Sequence, residues 1–344
     1  MARILGIEST CDETAAAVVE DGVRVLSSVI SSQIELHARY RGVVPEIASR
    51  AHIENILPVI ADALAGAHVT LADLDAIAVT HRPGLIGSLL IGVTAAKTLA
   101  WTLTRPLLAI DHVRAHLYSV MLGGAVQPQF PAVGLAISGG HTALYELRSF
   151  EDVRLIGSTI DDAIGEAYDK VAFILGLGYP GGPAIDRLAA QGDPSAIRFP
   201  RSNLSRTSLD FSFSGLKTSV LYHVRGHKGK ERTAAQLSPQ QIADVAASFQ
   251  AACVDVVTTK LKRAIHQTRA KCVIVGGGVS ANRGLRADLP KLGLPVYFPD
   301  FAYCTDNAAM SAGLAMLDLK ANRIAGLDLD AITHSEFALT KPGA

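Results

Sequence analysis

A short β-pattern occurs twice in this sequence, about 130 residues apart. Residues 3–7 and 14–19 are apolar and are separated by Glu8-Ser9-Thr10-Cys11-Asp12-Glu13; Asp21-Gly22 then turns the chain into Val23-Arg24-Val25-Leu26. This reads as a hairpin followed by a third strand. The second copy runs from Val133 to Ser138, turns at Gly139-Gly140, continues from Thr142 to Leu147 and ends in Asp152-Val153-Arg154-Leu155-Ile156-Gly157-Ser158. Two copies of one β-unit imply a duplicated, two-lobed fold, the alternative being the chance likeness of short strands.

Between the copies, Pro45–Ala65 and Gly87–Leu103 have helical periodicity around the strand Ala76–Val79. After the second copy the pattern predicts a helix over 162–175, a Gly/Pro loop over 176–183, an irregular polar stretch over 192–215 and a long helix over 239–268. A strand from Cys272 to Val275 is closed by three glycines, and a last helix begins near Asp306 and returns to the first lobe. The 344 residues suffice for two cores. With 49% hydrophobic but 6% aromatic residues, those cores are built from Ala, Val, Ile and Leu, as where helices pack on a parallel or mixed sheet. The predicted class is therefore α/β.

Equal numbers of basic and acidic residues, 32 each, exclude a generally basic or disordered chain. Cys11, Cys253, Cys272 and Cys304 form no CxxC and no disulfide framework, which fits a reducing cytoplasm. Glu8 interrupts the N-terminal apolar run that an export signal needs, and no run of about 18 consecutive apolar residues predicts a membrane span. From Arg198 to Arg232, eight Lys/Arg face only Asp210 and Glu231, with Phe199, Phe211, Phe213 and Tyr222 interleaved. This stretch reads either as a nucleic-acid contact or as a solvated loop.

Two strand-to-glycine turns, Ser138-Gly139-Gly140 and Gly276-Gly277-Gly278, offer backbone that a phosphate or nucleoside can approach. They read equally as tight turns at a sheet end. The G-x-G-x-x-G at Gly176, Gly178 and Gly181 follows a helix and lacks a downstream acid, so it is not a dinucleotide site. His112 and His116 stand four apart, after Asp111 as N-cap, and both imidazoles reach one side of a helix where a metal could bind. A third ligand has to come from elsewhere, and an oxygen donor such as Asp306 suits iron or zinc. His223 and His227 form a second pair, weakened by Gly226 and read as surface. Asp162, Glu166 and Asp169 line one helical face at i, i+4 and i+7, as a hydroxyl-binding face or as stabilisation of the helix dipole.

Eight motifs in chain order resemble one family: Gly6-Ile7-Glu8-Ser9-Thr10-Cys11-Asp12-Glu13-Thr14, His112-x3-His116, Ser138-Gly139-Gly140-His141-Thr142, the segment Asp161–Lys170, Tyr179-Pro180-Gly181-Gly182-Pro183, the segment Phe211–Thr218, the segment Gly276–Arg283 and Cys304-Thr305-Asp306-Asn307-Ala308-Ala309-Met310. The family is the tRNA threonylcarbamoyladenosine synthesis transferases of the bacterial TsaD type. Ser9-Thr10 in place of the commoner Thr-Ser, and Tyr168 in place of Phe, are slight departures that remove no ligand.

The resemblance implies an actin-like ATPase, sugar-kinase-like (ASKHA) fold: two duplicated RNase-H-like lobes with a ligand cleft, residues 1–111 plus 307–344 forming one lobe and 112–306 the other. It implies one divalent metal, usually iron with zinc possible, held by His112, His116 and Asp306. Ala136, Ile137, Ser138, Gly139, Gly140, Asp169, Gly182, Asp186 and Asn282 would bind threonylcarbamoyl-adenylate. The implied activity moves the threonylcarbamoyl group to N6 of adenosine 37, beside the anticodon, in tRNAs that read codons beginning with A, and releases AMP. The proton acceptor is open, with Asp12 and Glu13 as candidates. The implied partners are tRNA, a catalytically silent paralogue (TsaB type) and a small P-loop ATPase (TsaE type), in the cytoplasm and without a membrane; the basic stretch becomes the expected tRNA contact. Competing readings are a kinase, ATPase or nucleotide-regulated platform of the same fold, and a metallopeptidase, although Val113-Arg114 leaves no HExxH.

Overall fold

The computed structural model describes residues 1–40, 42–202, 204–205, 207–226, 234–335 and 337. The chain divides into two compact units, 1–127 with 150–153 and 299–344, and 128–149 with 154–298. In the first unit, β1 (Arg3–Glu8), β2 (Glu13–Glu20) and β3 (Arg24–Ser32) are followed by α1 (Ile34–Ala38), α2 (Pro45–Ala67), β4 (Ala76–Arg82), α3 (Ile86–Leu103), β5 (Leu107–Asp111) and α4 (His112–Tyr118). The second unit holds β6 (Ala132–Ile137), β7 (Thr142–Leu147), β8 (Val153–Ser158), α5 (Ile164–Leu175), α6 (Gly181–Ala189), α7 (Ser214–Arg225), α8 (Pro239–Thr268), β9 (Cys272–Gly276), α9 (Arg283–Asp288) and β10 (Val296–Tyr297). The chain then re-enters the first unit, where α10 (Ala308–Lys320) packs on β1 and β2.

The two sheets have one topology. The first is ordered β3-β2-β1-β4-β5 and the second, read from its other edge, β8-β7-β6-β9-β10. In both, the first hairpin is antiparallel and the later strands run parallel to its first strand. The repeated β-pattern is thus a repeated unit, and the likeness of its short strands is not accidental. Parallel strands covered on both faces need apolar residues throughout, and β1, β4, β6 and β9 are almost wholly buried.

Several expectations shift. The expected boundaries at residues 111/112 and 306/307 differ from those of the compact units, because α4 packs against α10 and goes with the first unit together with residues 299–306. The Gly/Pro loop expected over 176–183 ends early, since α6 begins at Gly181, where the Asp169 carboxylate accepts its N–H at 2.7 Å. The helix expected from 162 begins at Ile164, so Asp162 precedes it and does not share a face with Glu166 and Asp169. The polar stretch over 192–215 is irregular up to α7 at Ser214.

Length and mean hydropathy (1.4 and 1.3) would let α3 and α8 span a bilayer. In this fold α3 packs on β4 and α8 on α6, which gives their apolar faces partners within the protein.

The Asp162 carboxylate bonds Lys170 Nζ at 2.7 Å and Lys217 Nζ at 2.6 Å, tying the segment before α5 to α7. Burial opposes its charge, but the two ammonium groups outweigh that and hold the carboxyl below its usual range. Asp162→Asn is expected to cost about 1–3 kcal/mol at neutral pH, read as a melting temperature lower by several degrees. With a depressed folded-state pKa the stabilisation is complete above the unfolded value of about 3.9 and is lost progressively below it. The difference between wild type and variant should therefore vanish as pH falls through the lower, folded value, and thermal scans from pH 7 to pH 2 would check it.

Candidate metal centre and glycine-turn site

In the first unit, Asp111 ends β5 and caps α4. Its Oδ1 accepts the N–H groups of Val113 at 3.0 Å and Arg114 at 3.2 Å. Its Oδ2 accepts the Ser335 hydroxyl at 2.7 Å and faces Arg82 at 3.6 Å. This cap fixes the first turn of a helix whose His112 and His116 rings lie 4.5 Å apart, edge to face. Asp306 comes from the segment before α10, and its Oδ1 lies 3.0 Å from His116 Nε2 and 3.5 Å from His112 Nε2. The ligand atoms of all three side chains lie within 4.8 Å of one another. The structure thus brings together the two histidines that spacing suggested and Asp306, the oxygen donor named beside them and implied by the resemblance.

Two imidazole nitrogens and one carboxylate oxygen, with both histidines buried, form a donor set that suits a divalent cation such as iron or zinc. The electrostatics agree, because burial disfavours charge on each group and their mutual attraction opposes it. Asp306 is held well below the usual carboxylate range by the two histidines, despite burial. His112 is pushed well above its ordinary value by Asp306 and Glu8, against burial, whereas burial beside His112 lowers His116.

Glu8 was not singled out as a ligand or catalytic residue from the sequence. It is fully buried at the end of β1, and its Oε2 lies 3.3 Å from His112 Nδ1. The available signal was an acid closing an otherwise apolar strand. Asp12 and Glu13 follow in the turn into β2. Burial, the charges of Asp306 and Asp12, and a hydrogen bond that protonated Glu13 donates to Asp12 push the Glu13 carboxyl up to about 10.

In the second unit, β6 and β9 are adjacent and parallel, with Ala136 opposite Gly276, so both glycine turns emerge at one end of the sheet. Gly277 has φ +95° and ψ 162° and lies directly against the Ile137 carbonyl, while Gly165 at the start of α5 abuts Ser138 and Gly139. Gly139 and Gly140 are exposed, and a side chain there or at Gly182 would meet open space. Backbone without Cβ at the carboxyl ends of parallel strands can receive an anionic or nucleoside ligand.

The other expected ligands divide. Ala136 and Ile137 are buried strand residues whose side chains serve the core. Asp169 holds the start of α6. Asn282 Nδ2 lies 3.1 Å from Asp186 Oδ1 and 2.8 Å from Gln250 Oε1, and Asn282 Oδ1 caps α9. Gln250 was missed; the signal was a polar residue amid the apolar run of α8.

The basic stretch needs correction. Phe199, Phe211 and Phe213 are buried in the core and cannot stack on bases, leaving Tyr222 exposed. Arg201 pairs with Asp255 at 2.8 Å and Lys217 with Asp162. His223 is exposed on α7, as expected for a surface residue, whereas His227, Arg206, Lys228, Lys230 and Arg232 lie outside the described residues.

Residues 24–313 match the family model described as tRNA N6-adenosine threonylcarbamoyltransferase. A protein of that name from Moorella thermoacetica is 51% identical over 337 residues, 96% of each chain. One from Anaeromyxobacter dehalogenans (strain 2CP-C) is 49% identical, covering 96% of this chain and 98% of the relative. Among solved structures, HypF from T. kodakarensis aligns with a TM-score of 0.62 at 17% identity, over 93% of this chain and 48% of that one. The Acidaminococcus fermentans (R)-2-hydroxyglutaryl-CoA dehydratase component A aligns with a TM-score of 0.54 at 14% identity, over 94% and 100%. At such identities the likeness is one of fold, the actin-like ATPase and sugar-kinase-like fold. The family match and the identity along nearly the whole chain are decisive: the chain belongs to the tRNA N6-adenosine threonylcarbamoyltransferases, enzymes of tRNA modification.

Proposed function

We propose that this chain transfers the threonylcarbamoyl group from threonylcarbamoyl-adenylate to N6 of adenosine 37 in tRNAs reading codons that begin with A. The N6 amine forms a bond to the carbamoyl carbon, the bond from that carbon to the phosphate oxygen breaks, AMP leaves, and one N6 proton is lost. The observation that carries this reading is the convergence of His112 Nε2 and His116 Nε2 on Asp306 Oδ1 in a chain of this family. That arrangement supports a resident metal, with iron preferred and zinc second.

When bound by His112, His116 and Asp306, the metal supplies Lewis-acid stabilisation of the phosphate that departs. The protein does the rest. The open backbone at Ser138, Gly139 and Gly140 receives the adenylate, with Gly182 leaving room beside it. Asp186 and Asn282, held by Gln250, keep the second glycine turn and the start of α9 in place. Of the two candidate acids, Asp12 takes the N6 proton, because a Glu13 carboxyl pushed up to about 10 is already protonated at neutral pH; Asp12→Asn should abolish transfer and Glu13→Gln should not. The silent paralogue, the small ATPase and a cytoplasmic site of action are proposed on the resemblance. tRNA contact at Arg198 to Arg232 is proposed for the exposed cations alone.

The test is mass spectrometry of nucleosides from tRNA incubated with the protein, synthetic threonylcarbamoyl-adenylate and the silent paralogue. Threonylcarbamoyladenosine is expected. Its absence with all components present would overturn the reading in favour of an ATPase or kinase of this fold.

A further inference from the structure

We propose that Glu8 is a positioning residue for the metal centre: its carboxylate keeps a proton on His112 Nδ1, leaving Nε2 as the nitrogen that binds. The inference rests on the metal reading above. Glu8 is fully buried, and its carboxylate accepts from two donors. The Thr10 N–H donates to Oε1 at 2.9 Å, and the Thr80 hydroxyl to Oε2 at 2.6 Å. His112 Nδ1 lies 3.3 Å from the same Oε2. Nδ1 also lies 3.4 Å from the Thr10 hydroxyl, but a hydroxyl can donate or accept whereas an ionised carboxylate can only accept, so the shorter contact with Glu8 puts the proton on Nδ1. Nε2 faces the Asp306 carboxylate at 3.5 Å and by the same argument carries a proton in the metal-free protein; a cation displaces that proton, and the Nδ1–H held by Glu8 stays. Thr80 in turn meets the buried Ser311 hydroxyl at 2.8 Å, which anchors Glu8 from α10.

His116 has no such support. Its Nε2 faces Asp306, while its Nδ1 is buried with no hydrogen-bond partner among the described residues. The centre is asymmetric, with one ligand oriented by a carboxylate and the other by packing. Outer carboxylates of this kind set the ring orientation and raise the basicity of a ligating histidine.

The isosteric variant Glu8→Gln separates orientation from packing. Its amide keeps the shape but holds one NH2 group. At Oε1 that group opposes the Thr10 N–H. At Oε2 it faces His112 Nδ1 and forces the proton onto Nε2, where it blocks a metal. Titration of the full-length protein with Co2+, followed by its visible absorption and by competition with a chelator, is expected to show affinity roughly 10–100-fold weaker in Glu8→Gln. His116→Ala serves as the control that removes a ligand outright. Glu8→Asp, which keeps the charge but draws it back by one methylene, should weaken binding in the same direction.

A second readout needs no variant: 15N spectra of the Zn2+-loaded wild type should show His112 protonated at Nδ1. Co2+ affinity unchanged in folded Glu8→Gln, or a proton-free Nδ1 in the wild type, overturns the role of Glu8. A wild type whose weak Co2+ uptake is indifferent to His116→Ala overturns the metal reading, and this inference with it.

Discussion

His112→Ala should abolish both metal retention and threonylcarbamoyl transfer while leaving the protein folded. The imidazole is one of only two nitrogen donors in the candidate centre, and its loss leaves His116 and Asp306. Removing a ligand should exceed the roughly 10–100-fold that an outer-sphere change costs, so both metal content and product should fall by more than 100-fold. The change also costs stability, because it leaves the buried Glu8 and Asp306 carboxylates without the imidazole that faces both of them, a loss of about 1–3 kcal/mol. Elemental analysis of the purified variant, circular dichroism and nucleoside mass spectrometry give the three readouts. Product formed at the wild-type rate by metal-free His112→Ala would show that transfer does not need this centre.

Gly277→Ala should strongly destabilise the second unit, because strain and a steric clash act together there. The residue has φ +95° and ψ 162°, a region that essentially only glycine occupies. A Cβ there would also be driven into the Ile137 carbonyl, which belongs to the β6 end beside the other glycine turn. Backbone strain of about 1–3 kcal/mol and overpacking of about 1–3 kcal/mol together predict a melting temperature lower by on the order of 10 °C for a unit of this size. The same displacement should weaken threonylcarbamoyl-adenylate binding, measured by calorimetry below the melting transition. Gly139→Ala, where a Cβ meets open space, is the matched control and should leave stability nearly unchanged.

The duplication was readable because strand alternation is local and both copies kept it, with Asp21-Gly22 marking the β2–β3 turn of one copy and Gly139-Gly140 the β6–β7 turn of the other. The pair His112 and His116 was readable for the same reason, since four residues make one helical turn. Asp306 was not readable from spacing, because it stands 190 residues from His116 and only the tertiary fold joins them. Glu8 escaped because a single acid at a strand end looks the same whether it meets water or a buried imidazole. The aromatic residues near Arg201 misled in the opposite sense. Phe199, Phe211 and Phe213 fit an exposed stacking surface by composition, but a core poor in aromatic residues claims them. Asp162 was misplaced by a boundary error of two residues, which moved it from a helix face to a lysine-bridging position before it.

The first unit is assembled from both ends of the chain, and this imposes a temporal order on its chemistry. His112 and His116 leave the ribosome early, whereas Asp306 and α10 follow the whole second unit. At translation rates of about 5–20 residues per second, the 190 residues between His116 and Asp306 correspond to a delay of roughly 10–40 s. Throughout that interval β1 and β2 lack the helix that covers them, and the two histidines are without their carboxylate. A nascent chain at that stage therefore offers only two of the three donors of the candidate centre. The candidate donor set is completed late by construction, after the second unit has been made.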